Sequence, residues 1–229
     1  LHVRSRRQRQ MCIRDRDISN VEGKQRTLDN LQTMSLVSPT RPCHNILART
    51  PNLQKLGLCG PLTTTRGDFK CPDLGLLMQL EKLKLSNTIS FLQGVRLSIS
   101  TIFPGSLKKL TLSNTCLNWE EAWIFEMMPN LEVLKLKFHA FVGKDWETRP
   151  QAFPCLKFLK LKELDLVTWT VCRYDFPVLQ HLQVYHCPYL TEIPEDLGNI
   201  CTLECLEISG CNDAATNSAS DLQEEQERY

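Results

Sequence analysis

Leucine recurs along this chain in a fixed spacing that returns about every 25 residues. Residues 131–136 show it most clearly, with leucine at the first, fourth and sixth positions and Glu, Val and Lys between them. Seven other segments have the same spacing, with Met, Val or Ile at a few positions. The first positions of the eight segments are Leu31, Leu53, Leu80, Leu107, Leu131, Leu156, Leu179 and Leu203. They follow one another at intervals of 22 to 27 residues.

This pattern predicts a leucine-rich repeat solenoid, in which each unit supplies one short strand and a returning segment. The fourth and sixth positions lie on the same face of a strand, and one strand cannot bury that face alone. Parallel stacking on the next repeat supplies the missing hydrogen-bond partner and the core. We therefore expect an α/β fold with a parallel concave sheet and an irregular or short-helical convex side.

Charge and pattern divide the chain into three predicted parts. Residues 1–26 carry a net charge of +5 and do not fit the repeat, so we expect a basic leader that is disordered or non-native. Residues 27–211 form the repeat domain of about eight units. Residues 212–229 carry a net charge of −4 and are expected to cap the solenoid, with a fraying helix from about Ser220.

The returning segments differ in their signals. The first return contains three prolines and is expected to be irregular. The return after the fourth strand is the best helix candidate, because Asn118 and Glu121 have the spacing of a capping box. Apolar residues follow at helical spacing and predict packing on the convex side, with a partner groove as the alternative. They are Trp119, Ala122, Trp123, Met127 and Met128.

Composition narrows the class of protein. No apolar run approaches 18 residues, so no membrane span is expected. The eleven cysteines include no C-x-x-C pair, and the chain has no N-x-S/T sequon. Both observations favour a reducing, intracellular setting, and we expect a cytoplasmic protein.

The chain lacks the motifs of common enzymes and nucleotide-binding proteins. We predict no catalytic, cofactor-binding or metal-binding residues. A group of imidazole and thiol side chains near the end could suit zinc, but Cys187 and Cys211 occupy the same place in successive repeats, which favours a structural role. The group consists of His186, Cys187, Cys201, Cys205 and Cys211.

The third, fifth and seventh positions of each repeat are predicted to face the concave side. From the second to the eighth repeat, eight of these 21 positions are Lys and only Glu207 is acidic. The lysines could simply keep the sheet soluble. However, like charges about 5 Å apart repel by nearly 1 kcal/mol per pair even in water. We therefore predict a surface that binds an acidic protein, with Phe158 and Tyr185 as aromatic anchors. Nucleic acid is a weaker alternative, because arginine and interleaved aromatics are lacking. The predicted partner-binding residues are Lys55, Lys82, Lys84, Lys109, Lys135, Lys137, Phe158, Lys160, Lys162, His181 and Tyr185.

Several runs resemble the C-terminal repeats of plant intracellular immune receptors, and in particular the late blight resistance proteins of the nightshade family. These runs are residues 107–113, 129–136, 176–182, 192–194 and 208–211, and the polar tail from 217–219 through 223–226. The resemblance implies a nucleotide-binding receptor that detects a pathogen effector and triggers defensive cell death. Its repeats would contribute to recognition and restrain the nucleotide-binding switch. The partner would then be an effector, a guarded host protein or the receptor's own nucleotide-binding domain. ADP or ATP is expected only in that domain, which these residues do not contain.

Two other functions remain open at the level of sequence. One is the substrate-recognition domain of an F-box ubiquitin ligase, which would need an F-box-like segment that residues 1–26 do not supply. The other is a stand-alone repeat scaffold. An extracellular receptor ectodomain is disfavoured, because neither a signal peptide nor a sequon is found.

Overall fold

The computed structural model describes residues 27–39, 41–63, 69, 71–89, 95 and 103–227. The predicted basic leader, residues 1–26, lies outside them. Eight strands form one parallel sheet whose spatial order follows the chain. They are β1 (Thr33–Val37), β2 (Lys55–Gly60), β3 (Lys82–Asn87), β4 (Lys109–Ser113), β5 (Val133–Lys137), β6 (Phe158–Lys162), β7 (His181–Tyr185) and β8 (Cys205–Ser209). Each comes from one predicted repeat, and the predicted leucine-rich repeat solenoid is confirmed.

The leucine motif accounts for the core. From β2 to β8 neighbouring strands pair without a register shift, so like positions of successive repeats lie side by side. Fourth-position leucines such as Leu83 and Leu110 face inward and are buried, as are sixth-position leucines such as Leu85 and Leu112. Each buried leucine stabilises the fold by about 1.5–3 kcal/mol relative to an exposed one. The alternate residues are left on the concave face.

The first repeat departs from the prediction at its sixth position. Leu36 was expected in the core, but it is 69% exposed and has a φ of 57°. The register between β1 and β2 shifts between Met34 and Val37, so Val37 rather than Leu36 lies opposite Leu58. This bulge adds one residue to β1 and turns Leu36 away from the core.

The convex side is built from short elements. Residues 117–118 pair with 141–142, and residues 145–147 pair with 168–170, each pair in parallel. A 3₁₀-helix, Trp119–Glu121, leads into the short helix α2 (Trp123–Glu126), and a second 3₁₀-helix spans Glu195–Asn199. The first return, predicted to be irregular, contains the helix α1 (Arg41–Leu47).

The capping box predicted before α2 does not form. Asn118 precedes the 3₁₀-helix, but its side chain makes no capping hydrogen bond. The predicted apolar stripe is also divided, because Trp119, Ala122 and Met128 are buried whereas Trp123 and Met127 are exposed. One 3₁₀ turn followed by one α turn does not keep a constant helical period, so residues spaced for a regular helix face different sides.

Aromatic rings stack from repeat to repeat beneath the convex side. Trp119 stacks on Trp146 with ring centroids 4.7 Å apart, and Trp146 stacks on Trp169 at 5.2 Å. The carboxylate of Glu126 contacts this layer: it is 1% exposed and accepts a hydrogen bond from the Trp146 indole at 3.2 Å. The Arg149 backbone N–H also donates to Glu126, at 3.3 Å. Burial raises the pKa of this carboxyl.

The acidic segment closes the last repeat with a longer helix than predicted. The helix α3 (Asp213–Glu227) begins seven residues before Ser220. Asn212 caps it by accepting a hydrogen bond from the Ala215 backbone N–H at 2.8 Å. Its buried side, which includes Ala219 and Leu222, packs against the apolar core. No helix in the described part of the chain is both long and apolar enough to cross a membrane.

Candidate functional site

The concave face consists of three rows of side chains, here called the third, fifth and seventh rows after their positions in the repeat. Each row runs across the strands, because like positions pair in register. The third row is Lys55, Lys82, Lys109, Val133, Phe158, His181 and Cys205. The fifth row is Gly57, Lys84, Thr111, Lys135, Lys160, Gln183 and Glu207. The seventh row is Cys59, Ser86, Ser113, Lys137, Lys162, Tyr185 and Ser209.

All eleven residues predicted to bind a partner lie in these rows, and each is half-buried or exposed. The structure thus places them on one continuous surface. A concavity of about 700 Å³ opens over the first six strands. Its polar lining includes Lys55, Lys82, Lys84, Lys109 and Lys135. Exposed Leu36 also lines it, although the sequence pattern placed this residue in the core.

Lysines lie directly opposite one another in two rows where β5 and β6 pair. Lys135 lies opposite Lys160, and Lys137 lies opposite Lys162, on strands about 4.8 Å apart. Burial lowers the pKa of Lys137, and so do the charges of Lys135, Lys160, Lys84 and Lys162. Within the described ranges, Lys84, Lys135 and Lys137 have no carboxylate at ion-pair distance.

The second row, at the rim of the same sheet, is arranged differently. Its charges alternate in sign along Glu81, Lys108, Glu132 and Lys157. Lys108 contacts Glu81 at 2.8 Å, and Lys157 contacts Glu132 at 3.6 Å. A hydrogen bond from Lys108 lowers the pKa of Glu81, and the charges of Lys108, Lys82 and Lys55 lower it further. The carboxylate of Glu81 therefore offsets part of the positive charge of Lys55 and Lys82 in the third row, but it does not offset that of Lys137.

Hydrogen bonds connect the fifth and seventh rows at the C-terminal end. The Lys160 ammonium donates to the Gln183 side chain at 3.1 Å, and Gln183 donates to Glu207 at 3.1 Å. The Tyr185 hydroxyl donates to the same carboxylate. This bond raises the pKa of Tyr185 and lowers that of Glu207. Glu207 of the last repeat therefore accepts hydrogen bonds from two side chains of the preceding repeat, and the resulting polar network joins the last two repeats.

Aromatic rings accompany the lysines without neutralising them. The Lys135 ammonium lies 5.0 Å from the centre of the Phe158 ring, and the Lys160 ammonium lies 4.3 Å from that of Tyr185. Lys162 lies 4.9 Å from the ring centre of Phe138 and also contacts Glu163 at 3.2 Å. Phe138 is 40% exposed and was missed at the level of sequence, because it follows the seventh position, where the chain turns with a φ of 51°.

The thiol-rich end of the chain is a structural feature of the last two turns. Cys187 is buried next to Cys211 of the following repeat, and the interaction between the two thiols raises the pKa of Cys187 and lowers that of Cys211. Across the described residues, no group of three or more His, Cys, Asp and Glu side chains could hold a metal ion. His186, Cys201 and Cys205 therefore do not converge with this pair on a metal site.

Fold and surface together define a leucine-rich repeat protein with a lysine-rich concave face. The chain is 32% identical over 206 residues to the late blight resistance protein homolog R1B-16 of Solanum demissum. It is 33% identical over 203 residues to homolog R1B-23 and 32% identical over 208 residues to homolog R1B-13, both of the same species. Each of the three matches covers 87% of this chain. The predicted resemblance to late blight resistance proteins is confirmed.

The chain spans only about 15 to 17% of the length of these curated relatives. It therefore aligns with one segment of each of them. No family model matches the chain.

Proposed function

We propose that this chain is the protein-binding repeat module of a plant disease-resistance receptor, and that its lysine-rich concave face binds the acidic surface of a protein partner. The partner is a pathogen effector, a guarded host protein or the nucleotide-binding domain of the receptor itself. Nucleotide binding belongs to that domain, the whole receptor acts in the cytoplasm, and this module has no catalytic role.

One observation carries the proposal: the concave rows concentrate lysine, whereas the adjacent rim alternates lysine with glutamate. If the lysines served only solubility, alternating them with glutamates, as at the rim, would keep the sheet equally soluble and would avoid the repulsion. Like charges directly opposite on neighbouring strands are destabilising, so the rows reduce the stability of the isolated module. An acidic partner would remove that repulsion on binding, and electrostatic complementarity would also speed association and select against basic partners.

The similar proteins support the disease-resistance setting, since R1B-16, R1B-23 and R1B-13 are all late blight resistance protein homologs. The F-box alternative has no supporting observation among them. Recognition of an effector and restraint of a switch domain are both parts of our proposal.

Two charge-reversal variants of the full chain test the role of the concave face. The first carries Lys84→Glu and Lys135→Glu, and the matched control carries Lys144→Glu and Arg173→Glu, which are exposed and lie outside the three rows. Each variant and the wild type would be used to recover proteins from Solanum leaf extract, followed by quantitative mass spectrometry. We expect a set of acidic proteins that the wild type and the control retain and the concave variant loses. Recovery of the same proteins by both variants would overturn the proposed binding face.

Restraint of the switch can be tested in a hybrid receptor. The matching segment of R1B-16 would be replaced by this chain in its wild-type, concave-reversed or control form, and the hybrids expressed in leaves. We expect spontaneous cell death only from the concave-reversed hybrid, because its repeats no longer hold the nucleotide-binding domain. If all three hybrids stay silent while each still responds to an activating mutation in the switch domain, restraint does not depend on this face.

A further inference from the structure

The lysine block where β5 and β6 pair suggests a second kind of ligand on the concave face. Lys135, Lys137, Lys160 and Lys162 form two directly opposed pairs. Residues two apart on a strand are about 7 Å apart, and the strands are about 4.8 Å apart, so four ammonium-bearing side chains arise from a very small area. Lys84 on β3 lies in the fifth row, as Lys135 does. Only Thr111 on β4 lies between these two lysines in that row.

Hydroxyl groups border the block on the side of β4. Thr111 lies opposite Lys135, and Ser113 lies opposite Lys137. Ser86 continues the seventh row on β3, opposite Ser113. Hydroxyls can donate hydrogen bonds to anionic oxygens, so the block offers both positive charge and neutral donors. The concavity of about 700 Å³ is lined by Lys84, Thr111 and Lys135 and not by Lys137, Lys160 or Lys162, so it gives a small molecule room to approach the site from the side of β4.

The compensation available within the protein is incomplete. Glu163 contacts Lys162, and Lys160 interacts with Glu207 through Gln183 and through its charge, without a direct ion pair between the two. The aromatic contacts of Lys135 and Lys160 leave their charges in place. The pKa of Lys137 is lowered by burial and, to a smaller extent, by the charges of Lys135, Lys160, Lys84 and Lys162.

The density of charge favours phosphate over carboxylate. A phosphate group carries about 1.5 to 2 negative charges near neutral pH and presents three acceptor oxygens. Two linked phosphates would therefore balance three or four lysines within a span that matches the block. Four separate carboxylate side chains would have to crowd into the same area and would repel one another.

We propose that Lys84, Lys135, Lys137, Lys160 and Lys162 form a binding site for a small soluble anion that carries two or more phosphate groups. This ligand is distinct from the protein partner proposed above, although the two share one face. A bound polyphosphate would reverse the local charge and thereby change which protein surfaces the concave face accepts.

Isothermal titration of the full chain with inorganic tripolyphosphate, in buffer containing sodium chloride at physiological strength, tests the site. We expect saturable binding of one anion per chain that weakens as the salt concentration rises. The substitution Lys137→Gln should weaken binding by about tenfold or more, since a hydrogen bond to a charged group contributes at least that much. The control Lys144→Gln should change the affinity less than about twofold, because an exposed charge outside the block is screened. Thermal unfolding of each variant establishes that it is folded.

A hexaglutamate peptide and inorganic orthophosphate complete the experiment. Peptide binding that equals or exceeds tripolyphosphate binding would overturn the polyphosphate site while leaving the proposed protein-binding function intact. Orthophosphate binding as tight as tripolyphosphate binding would overturn the requirement for linked phosphates. Absence of any tripolyphosphate binding, or equal binding by Lys137→Gln and wild type, would also overturn the inference. Failure of the proposed function is recognised separately, from protein recovery by the concave and control reversals.

Discussion

Alignment of side chains between successive repeats stabilises the convex side of the solenoid and destabilises the concave side. Because the strands pair in register, each side chain meets the side chain at the same position of the next repeat. Beneath the convex side, in-register pairing of residues 145–147 with 168–170 places Trp146 against Trp169, and Trp119 from the adjoining 3₁₀-helix stacks on Trp146, which stabilises the fold. On the concave side it brings Lys135 onto Lys160 and Lys137 onto Lys162, which destabilises it.

The rim shows that the repulsion could have been avoided. Charges of alternating sign in the second row pair across the strands, at distances of 2.8 and 3.6 Å. The same alternation in the fifth or seventh row would have removed the lysine pairs. Stability explains the stacked aromatic rings, whereas it does not explain the stacked lysines, and for this reason we propose that the lysines bind a ligand.

The largest expected effect comes from breaking the aromatic stack. Trp146→Ala removes the ring between Trp119 and Trp169 and leaves Glu126 without its indole donor. We expect a loss of about 3–5 kcal/mol in the free energy of unfolding, measured by urea denaturation. Trp123→Ala is the control, because Trp123 is 41% exposed and should cost much less. Similar losses for both variants would contradict the proposed role of the stack.

The buried carboxyl of Glu126 should make stability depend on pH. The folded-state pKa of Glu126 is raised by burial, so the folded protein holds the proton at pH values where the unfolded chain has released it. Stability from this group is therefore present below the ordinary carboxyl pKa of about 4.3 and is lost as pH rises through the raised value. Urea denaturation across this range should show the slope in the wild type and a shallower one in Glu126→Gln. Identical slopes would assign the pH dependence to other groups.

The features that follow from the spacing of the leucines could be predicted from the sequence, whereas the features that depend on tertiary contacts could not. The eight strands and the lysine rows follow from alternation within the motif. The bulge at Leu36 could not be read from the pattern, because β1 is paired on one side only and its leucine spacing looks regular. The early start of α3 depends on burial of Ala215 and Ala219, which outweighs the weak helix propensity of the Asn, Ser and Thr residues around them.

Restoring mixed signs in the seventh row should stabilise the module. Lys137→Glu places a carboxylate among Lys135, Lys160, Lys84 and Lys162, and we expect a gain of about 0.5 kcal/mol in the free energy of unfolding. The matched reversal in the rim, Lys108→Glu, should act in the opposite direction, because it places a third carboxylate beside Glu81 and Glu132. Chemical denaturation of the two variants at low ionic strength compares them directly. A loss of stability in both would mean that the lysine rows are not repulsive.

The smallest effect concerns the ionisation of Lys137 itself. Its folded-state pKa lies below its value in the unfolded chain, so the folded protein releases this proton first as pH rises. The charged amine therefore destabilises the fold at neutral pH, and the penalty disappears as pH passes through the lowered value toward about 10.4. At neutral pH the free energy of unfolding of Lys137→Gln should consequently exceed that of the wild type by roughly a few tenths of a kcal/mol. This difference should shrink under alkaline conditions. Taking the difference between two proteins cancels the titration of groups outside the block. A difference that stays constant from neutral to alkaline pH would show that the charged amine of Lys137 carries no penalty from burial or from its charged neighbours.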